Sequence, residues 1–247
     1  MINIKTPTEI LIMAEGGKIL AKVFKEIESM VKPGTATIDL DRAAEALILK
    51  QGAKPSFKGY QGFPYSVCVS INEEIVHCFP SGRILKEGDI VCLDLGVFYK
   101  GYHTDMAGTV AVGKVSFEAK RLISAAKKAL KRGIKQAKAG SAVGDIGNTI
   151  QRYVEGQGFS VIRDLCGHGI GKDLHEDPRI YNFGKRGTGP NLVEGMVICI
   201  EPMITAGDYR LKKARDGYGF ATKDNSLAAH FEHTIAVTKK GACILTD

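Results

Sequence analysis

Two apolar runs in this chain carry a carboxylate where a buried strand should have only hydrocarbon. Ile90-Val91-Cys92-Leu93-Asp94-Leu95 is one, and Val197-Ile198-Cys199-Ile200-Glu201 is the other. An unpaired carboxylate in such surroundings is costly, so each needs a cation, several hydrogen bonds or a proton. Asp105, in the run from Tyr102 to Val112, and Glu232, in Phe231-Glu232-His233-Thr234-Ile235-Ala236-Val237, have flanks that echo each other and give each half a second acid. Bare carboxylates brought together repel, and divalent cations between them remove the conflict. His168, in Cys166-Gly167-His168-Gly169-Ile170-Gly171, adds an imidazole among glycines that permit close backbone approach. Any one of these residues alone reads as a salt-bridged or protonated acid, or as a packed histidine. As a set they read as a dinuclear metal site. Oxygen-rich ligands with one nitrogen and no thiolate suit manganese, iron or cobalt better than structural zinc, though zinc remains compatible.

The elements that must position these groups are legible too. Lys100-Gly101 reads as a two-residue hairpin turn. With Tyr99 opposite Tyr102, Asp94 faces Ala107 and lies diagonal to Asp105 on the same face, the backbones roughly 7 to 8 Å apart. Thr6-Pro7-Thr8-Glu9 is a capping signal ahead of the apolar stripe Leu20, Phe24, Ile27 and Val31, predicting a long helix that stops before Pro33-Gly34. A second helix is expected from about Thr37 to Gln51, ending at Gly52, and Val67-Cys68-Val69-Ser70-Ile71 reads as a strand.

This order then recurs, with helices from about Ser116 to Lys138 and from about Val143 to Gln157. Shifting the sequence by 106 superposes Lys32, Gly34, Ala36, Asp39, Gln51 and Gly52 on Lys138, Gly140, Ala142, Asp145, Gln157 and Gly158. A shift of 107 superposes Glu87-Gly88, Cys92 and Asp94 on Glu194-Gly195, Cys199 and Glu201. The expectation is an α+β fold of two duplicated halves, residues 6–113 and 114–240, in one catalytic domain covering 1–247. A pseudo-twofold would merge their strands into one curved, mostly antiparallel sheet with the four helices on its outer face. A shared site would lie on the inner face.

Composition narrows the class. A chain of 247 residues with 44% hydrophobic content can bury one sizeable core. No run approaches the roughly 20 apolar residues of a membrane span, and the N-terminus lacks a signal-peptide pattern. The six cysteines form no C-x-x-C pair, which fits a reducing cytoplasm. A net charge of +7 fits an anionic partner such as ribosomal RNA. The plainer reading is a solvated helix face, because Lys127, Lys128, Lys131, Arg132, Lys135 and Lys138 oppose the apolar side of one helix. Competing motifs fail: His175-Glu176 does not extend to H-E-x-x-H, the glycines around His168 lack dinucleotide spacing, and no G-x-S-x-G elbow or Walker loop occurs.

The quoted motifs, together with Ser70-Ile71-Asn72-Glu73 leading to His77, Gly101-Tyr102-His103-Thr104-Asp105, His175-Glu176-Asp177-Pro178, Glu201-Pro202-Met203 and Glu232-His233-Thr234, resemble the type I methionine aminopeptidases. The resemblance runs nearly end to end and implies their pita-bread fold. It implies that Asp94 binds one metal, His168 and Glu201 the other, and that Asp105 and Glu232 bridge both. Glu201 would pass a proton from the attacking water to the leaving amine, while His77 and His175 would contact the peptide and stabilise the tetrahedral intermediate. The matching methionine pocket is Tyr60, Phe63, Cys68, Phe79 and Tyr218. The family often has tryptophan where Tyr218 stands, glycine and isoleucine where Cys78 and Phe79 stand, and glutamine where His230 stands. The implied substrate is a nascent peptide with a free N-terminal methionine and a small second residue, met by a cytoplasmic monomer in transient contact with the ribosome. Neither a membrane nor a specific DNA partner is expected. The runner-up readings are a prolidase or aminopeptidase P on the same fold, and a non-catalytic binding module docking on ribosomes or RNA.

Overall fold

Thr6 caps the first helix as its sequence suggests: its hydroxyl accepts the Glu9 amide at 3.3 Å, and the Glu9 carboxylate accepts the Thr6 amide at 2.7 Å. The computed structural model describes residues 2–247. Its four helices are α1 (Pro7–Ser29), α2 (Thr37–Lys50), α3 (Phe117–Gln136) and α4 (Val143–Gly156). The sequence-based ends at Gln51, Lys138 and Gln157 overshoot by one or two residues, where the chain already turns toward a left-handed glycine.

A nine-stranded sheet forms the centre of the molecule, with every pairing antiparallel. Its middle runs Ile90–Tyr99, Tyr102–Ala111, Glu232–Thr238, Val197–Ile200 and Cys166–Gly169. The two halves meet where Tyr102–Ala111 pairs with Glu232–Thr238, placing Glu232 opposite Ala107. The Lys100-Gly101 turn takes positive φ at both residues, 47° and 90°, and Tyr99 pairs with Tyr102 as the hairpin reading requires.

Each half covers the outer face of its strands with its own helices. Leu20, Phe24 and Ile27 of α1 and Leu40 and Ile48 of α2 pack on Val67, Val69, Val91, Leu93 and Leu95. Leu122 and Ala129 of α3 and Ile146 and Ile150 of α4 pack on Ile198, Ile200, Ile235 and Val237. Alternation along a strand then sends Cys92, Asp94, Cys199 and Glu232 to the opposite, inner face. The lysine-rich side of α3 is exposed, the solvated face that its spacing implied.

The repeat extends to individual hydrogen bonds. Gly34 donates to the Leu85 carbonyl at 2.9 Å, and Gly140, its counterpart, to Leu192 at 2.8 Å. Gly88 and Gly195 donate to Val112 and Val237, each at 3.0 Å. These four glycines, with Gly52 and Gly158, all have positive φ, so the matching identities mark turns that a side chain would strain. Among the described residues no helix is long and apolar enough to cross a membrane.

Candidate active site

Three neighbouring strands bring the acids together. Asp94 and Glu232 both pair with Ala107, one from each side, and Asp105 lies two residues along the shared strand. Ligand oxygens of Asp94, Asp105 and Glu232 therefore fall within 4.8 Å of one another. Glu201 follows Ile200, which pairs with His233, so it stands beside Glu232 on the next strand. His168 enters from the neighbouring Cys166–Gly169 strand, with Nε2 3.6 Å from Glu201 Oε1. Its Nδ1–H donates to the Gly169 carbonyl at 2.8 Å, which leaves the Nε2 lone pair for the site. All five sequence-predicted ligands thus share one buried inner-face cluster, none more than 8% exposed.

Burial and mutual repulsion dominate the electrostatics. Burial pushes Asp94 up to about 6, with His230 opposing the rise. Asp105 and Glu232 lie well above the ordinary carboxylate range, first through burial and then through neighbouring acids, and Glu201 likewise through burial and Asp94. Burial holds His168 down at about 3 and His77 at about 4, and also lowers His175, so all three imidazoles are neutral near pH 7.

Over the acids opens a cavity of about 110 Å³. Its wall includes Tyr60, Phe63, Cys68, His77, His175 and Tyr218, all expected from the sequence. The Tyr60 hydroxyl lies 2.8 Å from His175 Nδ1, and the His175 ring meets His168 edge-on at 4.4 Å. His77 adopts φ +60°, a left-handed conformation imposed where the chain leaves the short strand Glu74–Val76. Phe79, expected in the pocket, stands one ring back from the cavity wall, stacked on Tyr218 at 4.8 Å.

A model of metallopeptidase family M24 matches residues 12–239. The chain belongs to metallopeptidase family M24. Methionine aminopeptidase 1 of Bacillus subtilis (strain 168) is 48% identical to this M24 chain over 246 residues, covering 100% of it and 99% of the relative. The crystal structure of methionine aminopeptidase from Thermotoga maritima superposes with a TM-score of 0.98 at 45% identity, covering 100% of both chains. An Xaa-Pro dipeptidase from Bacillus anthracis superposes with a TM-score of 0.80 at 29% identity, but this chain covers only 62% of it. The pita-bread fold expected from the sequence is the one observed.

M24 membership implies a divalent metal, and the residues present fit one. Asp94 Oδ1 and Glu232 Oε1 are buried without any hydrogen-bond partner, as expected of oxygens reserved for a cation. Four buried acids that raise one another are relieved by divalent charge, and the converging donors are mostly hard oxygens.

Sequence reasoning missed several wall residues of this M24 cavity. Phe57, Gln61 and Leu174 line it, but they come from irregular segments with no periodicity to orient them. His230 was noted only as a departure from the family. It is 1% exposed, its two ring nitrogens lack hydrogen bonds, and Nε2 lies 3.4 Å from Glu201 and 3.8 Å from Glu232. The signal available was its position two residues before Glu232 in an apolar run, which predicts the same inner face.

Proposed function

We infer that this chain removes the N-terminal methionine from newly made polypeptides by metal-dependent hydrolysis. The observation that carries the reading is the convergence of Asp94, Asp105, His168, Glu201 and Glu232 beneath a small, aromatic-walled cavity. Asp94, Asp105, His168, Glu201 and Glu232 would together hold the metal pair. Bound divalent ions supply Lewis-acid polarisation of the scissile carbonyl and acidify water. Manganese, iron or cobalt suits the donor set, with zinc compatible.

The protein's own groups do the rest. Glu201 carries a proton from the attacking water to the departing amine. With Tyr60 as the donor across its 2.8 Å contact with His175 Nδ1, the ring proton of His175 would sit on Nε2 and serve as a donor toward the peptide. His77, neutral at working pH and held at the cavity wall, provides a second contact. Phe63, Cys68 and Tyr218 supply an apolar, polarizable lining for a thioether side chain, backed by Phe79. The working form is a cytoplasmic monomer, a single catalytic domain, that meets nascent chains with a small second residue during transient contact with the ribosome.

The test is a peptide panel supplied with each divalent metal anaerobically. Cleavage of Met-Ala-Ser, with free methionine released, is the expected outcome. Turnover of X-Pro dipeptides with Met-Ala-Ser left intact would overturn the reading in favour of a prolidase. Absence of any bound or activating ion would favour a binding module instead.

A further inference from the structure

Two loops close the methionine cavity, one from each half of the chain. The first carries His77, Cys78 and Phe79. The second is the tip of the hairpin formed by Leu211–Lys213 and Phe220–Thr222, and it carries Asp216, Gly217 and Tyr218. The loops touch without a spacer: a Cβ added to Gly219 would lie 2.9 Å from both the amide nitrogen and the Cα of Cys78. Between them sits one carboxylate. Asp216 Oδ1 accepts the amides of Tyr218 and Gly219, each at 2.9 Å, and Oδ2 accepts the amide of Phe79 at 2.7 Å. Tyr218 then stacks on Phe79 at 4.8 Å and leans on Phe63 at 5.7 Å.

We propose that Asp216 is the positioning residue of the methionine pocket: its carboxylate clasps the two loops together and so sets the affinity for the methionine side chain. One oxygen shapes the hairpin tip that presents Tyr218, and the other ties that tip to the backbone of Phe79, the ring on which Tyr218 rests. All three bonds are of the charge-assisted kind, stronger than neutral ones even at an exposed site. Asp216 touches no reacting atom, so it acts through Tyr218. The proposal rests on the peptidase reading above.

The two oxygens can be separated by substitution. Asp216→Asn keeps a carbonyl oxygen for Tyr218 and Gly219 but turns an NH2 group toward the Phe79 amide, so it breaks only the bridge between loops. Asp216→Ala removes all three bonds. With the metal-loaded, full-length protein and Met-Ala-Ser, Asp216→Asn should raise KM about fivefold to tenfold and hold kcat within about twofold, as loss of uniform binding does. Asp216→Ala should raise KM further, while Co(II) affinity by calorimetry stays unchanged in both. An unchanged KM in Asp216→Asn overturns the clasp, even with a lowered melting temperature. A fall in kcat at constant KM also overturns it, because the bridge would then serve His77 rather than the pocket. Should Asp216→Ala fail to fold, Asp216→Asn decides alone. Failure of the wild type to cleave Met-Ala-Ser would instead overturn the peptidase reading, and the clasp's role with it.

Discussion

Asp94→Asn in metal-stripped protein should change the pH dependence of stability in a calculable way. In the folded chain burial raises Asp94 from 3.8 to about 6. Below pH 3.8 the carboxyl is protonated in both folded and unfolded states and contributes nothing. As pH rises from there, the unfolded chain gives up the proton while the folded one keeps it, so stability falls until about pH 6 and then levels off. A span of roughly two pK units corresponds to about 3 kcal/mol. Asparagine has no proton to lose, so the metal-free variant should gain about 3 kcal/mol or more on the wild type between pH 4 and pH 7, because removing Asp94 also relieves Asp105, Glu201 and Glu232, which it raises. For a chain of this size that is about 6 to 12 °C in melting temperature. The assay is thermal or urea unfolding of both proteins in chelator at pH 4, 5, 6 and 7. Taking the difference removes Glu9 and Asp224, whose carboxyls are held down at about 2 and whose stabilisation is lost as pH falls below the ordinary carboxylate range. Adding Mn(II) should reverse the order at pH 7, since asparagine gives up a charged ligand. A difference that stays flat across the window, or grows in favour of the wild type, would refute the account of Asp94 as a buried acid awaiting a cation.

Three further outcomes are expected. Glu201→Ala should abolish hydrolysis and weaken metal binding, measured by calorimetry, while leaving the far-ultraviolet helical signal intact. Lys5→Ala should destabilise the protein by about 3 to 5 kcal/mol in urea unfolding, because it leaves buried Glu176 without the ammonium 2.6 Å away; their side chains are only 5% and 4% exposed. Tyr60→Phe should lower kcat about tenfold with little change in metal affinity, since His175 loses the hydroxyl that fixes its tautomer.

The sequence disclosed most where geometry is periodic. Strand alternation put Asp94, Asp105 and Glu232 on one face, and the Tyr99–Tyr102 turn set the register that makes Asp94 diagonal to Asp105. The duplication followed from glycines whose left-handed φ recurs at equivalent turns. What stayed hidden lies in segments without a repeat. That Phe79 backs Tyr218 rather than facing the cavity is set by a loop after His77 that has no periodicity to orient it. Gln61, at φ 48°, and Phe57 reach the cavity from a loop whose course is set by tertiary packing. Burial of Lys5 was equally illegible, because its partner Glu176 lies 171 residues away.

The pairing of Tyr102–Ala111 with Glu232–Thr238 also has a consequence during synthesis. Asp94 and Asp105 are translated in the first half of the chain, but Glu201 and Glu232 only near its end. A ribosome that has made the first half holds two of the four acids and an incomplete centre. The last acid enters by zipping one late strand against an early one, the step that also joins the two cores. A prematurely terminated product lacking Glu232 is therefore expected to be inert rather than an unregulated peptidase, a point that hydrolysis assays on a chain ending before Phe231 would check.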